Sequence, residues 1–138
     1  MKIVLHAETE LTLQEGKAPG LEVVAEAPGV HYSAMQMFAT ALALCTYSVL
    51  VSYAEQIGTD TEALAIRVRW RYAAHPARID RIDMDITWPE LPESRLPAAR
   101  RAAAHCMLHN TLHQPPEIHT CVRRDVGDNA PQDMQPQD

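Results

Sequence analysis

Cysteine, glycine and aromatic residues are all scarce in this chain of 138 residues, which carries three Cys, five Gly and a single Phe. Three scattered cysteines with no C-x-x-C pair exclude a disulfide framework and a thioredoxin-type motif. There is no Gly-rich phosphate loop, no G-x-S-x-G and no carboxylate pair at a suggestive spacing. Basic residues are outnumbered, 12 Lys and Arg against 18 Asp and Glu, and the resulting net charge of −6 argues against nucleic acid or an anionic membrane as partner. The start of the chain, MKIVLHAETE, turns acidic too soon for a secretory signal. A cytoplasmic, reducing location is therefore expected, where a disulfide is transient rather than structural.

What is present is apolar. Hydrophobic residues make up 46% of the chain, enough for one globular domain, expected over residues 1–124. The Asp-, Asn-, Gln- and Pro-rich remainder, residues 125–138, cannot form a core and is expected to be a flexible tail. The longest uncharged stretch runs from Ala34 to Ala54, with no basic residue nearer than Lys17 and Arg67 to anchor it in a bilayer. Gln36, Thr40, Thr46, Tyr47, Ser48 and Ser52 dilute it. It reads as a helix buried in a core or between subunits rather than a membrane span. Ser33 is its expected N-cap, with an end near Gln56 and Gly58 just beyond.

Around that helix the pattern is β. Residues 2–14 and 21–27 alternate as short strands joined by Gly16, Pro19 and Gly20. Ile66, Val68, Trp70 and Tyr72 alternate with arginines, then Ile82, Met84, Ile86 and Trp88 alternate with Asp83, Asp85 and Thr87 after a turn at His75-Pro76. That predicts an antiparallel hairpin with one apolar face and one solvated face of paired charges. A second helix is expected over Ala98–Leu112, with Ser94 as N-cap and Pro97 in its first turn. Residues 117–124 read as a last strand carrying Cys121, taken as a packing residue.

The candidate chemistry is thiol and imidazole. His105, His109 and His113 fall at i, i+4 and i+8, a spacing that can supply metal ligands, but no Cys pair or acidic ligand accompanies them. They are read as a polar flank, so no metal and no cofactor is expected. Met35, Met37, Met84 and Met107 read as core fillers. Cys45 lies within the first helix and Cys106 near the end of the second. On pattern alone, two buried structural cysteines are the favoured reading.

The words around these cysteines shift the balance. SAMQMFATALALCTY resembles the segment P-x-E-L-L-x-A-A-L-A-x-C of the OsmC/Ohr family of osmotically induced and organic hydroperoxide resistance proteins, and HCMLHNTL resembles its second segment, C-P-V-H-x-T-L. The order of elements also matches. The resemblance implies an α+β fold in which antiparallel sheets wrap two central helices of an intertwined homodimer, with sites at the subunit interface. It implies dithiol-dependent reduction of a small lipophilic hydroperoxide, Cys45 attacking and Cys106 resolving, with His109 supporting the thiolate. Met35, Phe38, Met107 and Leu108 would line the substrate pocket. Hydroperoxide-reducing members carry an activating Glu and Arg, but here Met35 holds the Glu position and no arginine precedes Arg67. His31 and His109 are the cations nearest by motif. The alternative is a non-enzymatic dimer of the same fold that binds a small lipophilic ligand.

Overall fold

The structure is a computed structural model that describes residues 1–122. Five strands form one sheet in the order β3-β1-β2-β4-β5, from β1 (Lys2–Ala7), β2 (Glu10–Gln14), β3 (Glu22–Ala25), β4 (Ala65–Ala74) and β5 (Ala77–Thr87). All pairs are antiparallel except β1 with β3, which is parallel. The alternation in the sequence sets the buried face. Ile3, Leu5, Leu11, Leu13, Ile66, Val68 and Trp70 all point inward, against the first helix.

That helix, α1 (Ala34–Ile57), starts where the sequence predicts. The Ser33 backbone N–H donates to Gln36 Oε1 at 3.0 Å, one half of a capping box. Gln36 Nε2 donates to the Glu8 carbonyl at 2.6 Å and ties the helix start to the β1–β2 turn. The helix ends at Gly58, whose φ of 67° is the left-handed conformation that glycine adopts without steric cost. Ala39, Ala43, Leu50 and Ala54 pack on the sheet at helical spacing. Trp88 clamps the exit of the helix, with its indole N–H on the Asp60 carbonyl at 2.7 Å and its ring edge-on to Tyr53. Among the described residues, α1 alone has the length and hydropathy to cross a membrane, and 44% of its most apolar window is buried within the chain itself.

Three expectations are corrected. The second helix is two helices, α2 (Leu96–Ala104) and α3 (Met107–His113), broken at His105 and Cys106. A single 3₁₀ turn, Glu93–Arg95, precedes α2, so Ser94 lies inside that turn and Arg95 occupies the N-cap position. Within the described part of the expected last strand, residues 117–122, the backbone pairs with neither sheet edge, and Cys121 is exposed rather than packed. The described residues thus hold one mixed sheet and three α-helices, an α+β arrangement with a single long central helix. Arg123, Arg124 and the expected tail at residues 125–138 lie outside the described residues.

Candidate functional site

Cys45 and Cys106 meet where the middle of α1 faces the start of α3. The meeting depends on the helix break. Two short-range backbone bonds, His105 N–H to Ala102 O at 2.9 Å and Cys106 N–H to Ala103 O at 3.3 Å, tighten the end of α2. Cys106 then takes an extended backbone (φ −56°, ψ 131°) as the N-cap of α3, and its side chain is completely buried. Cys45 remains partly exposed.

The electrostatics differ at the two sulfurs. Burial pushes the Cys45 thiol up, but hydrogen bonding from the Cys106 thiol and from the backbones of Leu108 and Met107 outweighs it, so Cys45 ionises below the usual thiol range. Backbone groups that favour the charged sulfur are N–H donors, and the first N–H groups of α3 have no partner in their own helix. At Cys106, burial and the thiol of Cys45 both push ionisation up, against weaker help from the His109 backbone and the Thr46 hydroxyl. Of the pair, Cys45 gives up its proton more readily than an ordinary thiol and Cys106 less readily.

A cleft of about 380 Å³ lies between α1, α3 and β5, and neither cysteine is among the residues that line it. Leu42, one turn before Cys45, forms its floor, with Ile79, Ile82, Met84 and Leu112 as apolar walls and Asp80, Arg81, His109 and His113 at polar points. Arg81 is held by Asp83 through contacts at 2.8 to 3.1 Å. The expected pocket residues sit elsewhere. Phe38 is two turns before Cys45 on the same side of α1 and half-buried, Met35 lies farther along and is 37% exposed, and the Met107 side chain is 76% exposed. Met107 and Leu108 reach the site through their backbones instead.

The histidines divide in the same way. His109 turns its backbone toward Cys106, while its ring stacks on His113 with Nε2 atoms 3.1 Å apart. His105 falls in the break and leaves their face, and His31 lines a separate hollow near the start of α1. Among the described residues, no three His, Cys, Asp or Glu side chains converge as a metal site. Sequence reasoning missed the cleft walls of β5 and the backbone donors. Residue types do not reveal an N–H group.

The family model for OsmC-like proteins matches residues 27–120, which span α1, both cysteines and the hairpin between them. The chain belongs to the OsmC-like protein family. The crystal structure of a protein from Psychrobacter arcticus 273-4, described as an osmotic stress induced and detoxification response protein, has a similar fold. The TM-score is 0.56 at 20% identity, over 79% of this chain and 84% of that one. The comparison with curated proteins finds no match. As an OsmC-like protein the chain has its thiol pair where the two family segments come together, while the family's Glu position is the exposed Met35.

Proposed function

We propose that this OsmC-like chain is a cysteine-based reductase of organic hydroperoxides that serves a stress response and is regenerated by a dithiol. The observation that carries the reading is the asymmetric thiol pair: a partly exposed sulfur favoured as thiolate, backed by a fully buried thiol. The Cys45 thiolate attacks the terminal peroxide oxygen and the O–O bond breaks. The alkoxide takes up a proton and leaves as the alcohol, with Cys45 oxidised to the sulfenic acid. Cys106 then displaces hydroxide from that sulfur to give a disulfide, which a dithiol reduces back to two thiols. A neutral thiol beside the attacking sulfur and the N–H groups of α3 do the work that charged side chains do in the family members carrying Glu and Arg. The apolar cleft suits a hydroperoxide with a hydrocarbon body better than hydrogen peroxide.

Exposed apolar side chains support the expected homodimer. Met37 and Leu44 share one side of α1 with Ala41 and Ser48, and Ile118 and Val122 are nearly bare. A second copy would cover them.

Dithiol-dependent consumption of an alkyl hydroperoxide tests the reading. Wild type is expected to turn over, Cys45→Ser to lose activity altogether, and Cys106→Ser to perform a single oxidation and then accumulate over-oxidised Cys45. Equal rates for wild type and Cys45→Ser would remove Cys45 from the mechanism. The cleft itself favours the second reading, a ligand-binding dimer without turnover, for which an inert wild type that lipophilic compounds stabilise against heat is the expected signature.

A further inference from the structure

We propose that His109 and His113 form a two-imidazole site on the cleft wall for a divalent transition ion of the Ni²⁺, Cu²⁺ and Zn²⁺ class. The i, i+4, i+8 run of histidines does not survive folding as a set of three, because the break after α2 takes His105 off the face of the other two. The remaining pair stands one turn apart on α3, and both residues line the cleft. Their rings converge on one edge: the centroids are 4.8 Å apart with planes 29° from parallel, while the Nε2 atoms approach to 3.1 Å. Two imidazole nitrogens bound to one ion at about 2.0–2.1 Å, with an angle of about 90–109° between them, stand roughly 2.9–3.4 Å apart. The observed separation falls inside that range. The two rings already have the spacing of adjacent ligands, and an ion would take the place of the hydrogen between them.

The surroundings define the class of ion. Among the described residues, the hydrogen-bond partner of each of these rings is the other ring. Asp80 also lines the cleft, but its carboxylate is taken by the Arg71 guanidinium through two bonds of 3.0 Å. The protein therefore supplies two nitrogens and no free oxygen. Imidazole suits Ni²⁺, Cu²⁺ and Zn²⁺, whereas Mg²⁺ and Ca²⁺ require oxygen ligands. Water, or a polar group of a molecule in the cleft, fills the remaining positions on the ion. An ion bridging residues i and i+4 also ties a turn of α3, whose seven residues are too few to hold a helix unaided. This site goes beyond the peroxide-reducing reading and does not depend on it.

Calorimetric titration of Ni²⁺ and of Mg²⁺ into the full chain tests the site, in protein carrying Cys45→Ser and Cys121→Ser so that no thiol pair competes for the ion. We expect one Ni²⁺ bound per chain and no Mg²⁺. His109→Gln and His113→Gln should each weaken Ni²⁺ binding at least about tenfold, the lower end of what losing even an outer-shell partner of a metal costs. Gln is a good helix former, so the metal-free variants should match the parent in circular dichroism. Ni²⁺ should raise the melting temperature of the parent and leave that of both variants unmoved. In the parent itself, Zn²⁺ should shift the imidazole nitrogen resonances of these two histidines and of no others. Absence of saturable Ni²⁺ binding overturns the proposal, as does binding that survives either substitution, that Mg²⁺ matches, or that shifts a different pair of histidines. The titration needs no turnover: a protein that consumes no hydroperoxide leaves this site standing, and a silent titration leaves the peroxide-reducing reading standing.

Discussion

A sulfur in apolar surroundings resists ionisation, and burial is the largest single influence on Cys45. It is outweighed because three donors converge on the sulfur, the Cys106 thiol foremost among them. The first proton of the pair therefore leaves Cys45 below the usual thiol range, and the second leaves Cys106 above it. Stability is a poor reporter of this. The lowered Cys45 contributes stability present above the unfolded thiol's pKa and lost as pH falls through the folded value. The raised Cys106 contributes stability present at lower pH and lost as pH rises, so the two oppose each other. Alkylation rate is the better measurement, because only the thiolate reacts. The Cys45 rate should rise with a midpoint below that of an ordinary cysteine. Cys106→Ala should move the midpoint up, and Cys106→Ser, which keeps an O–H donor, should move it less. Identical midpoints for wild type and Cys106→Ala would refute the coupling. The cysteines themselves were legible through the words around them. The donors were not, because Leu108 and Met107 act through backbone N–H groups that every non-proline residue has.

At the scale of elements, the alternating runs and the Ser33–Gln36 cap could be read directly, since period two and a capping box are local signals. The break between α2 and α3 could not. AAAHCM contains neither Gly nor Pro, and each residue tolerates a helix. The interruption is tertiary: it turns a fully buried Cys106 toward α1 and aims the free N–H groups of α3 at the sulfurs. This geometry permits a selective test. Met107 is the first residue of α3, where proline is favoured, and Cys106 before it already has the extended backbone that a following proline requires. Its side chain is largely exposed, so little packing is lost. Met107→Pro should thus leave the unfolding free energy within about 0.5 kcal/mol of wild type while removing one N–H from the Cys45 sulfur. The alkylation midpoint of Cys45 is expected to rise, with near-unchanged circular dichroism. A variant as reactive as wild type would show that the α3 backbone does not support the thiolate.

The whole molecule is closed on one side and open on the other. The inner face of the sheet and half of α1 form a continuous core, the α+β arrangement that the family resemblance implied and that the alternating runs and the long apolar helix fit. The last expected strand failed for a reason that patterning cannot supply: a β-prone run needs an edge to pair with, and residues 117–122 pair with neither β3 nor β5, leaving Ile118 86% and Val122 91% exposed. The uncovered side of α1 is uncharged from Ala34 to Ala54 and presents Met37 at 53% and Leu44 at 37% exposure. If a second copy covers these two side chains, each contributes about 1 kcal/mol, roughly half the value for full burial of such a residue. A carboxylate in their place would also have to be stripped of water on association, which costs several kcal/mol more. Met37→Glu combined with Leu44→Glu should therefore weaken association at least about a hundredfold, since each 1.4 kcal/mol is tenfold. Light scattering should then report a mass falling from two chains to one, while far-ultraviolet circular dichroism stays constant because neither residue belongs to the buried core. Wild-type protein that already runs as single chains at micromolar concentration would show that this face is not closed by a second copy.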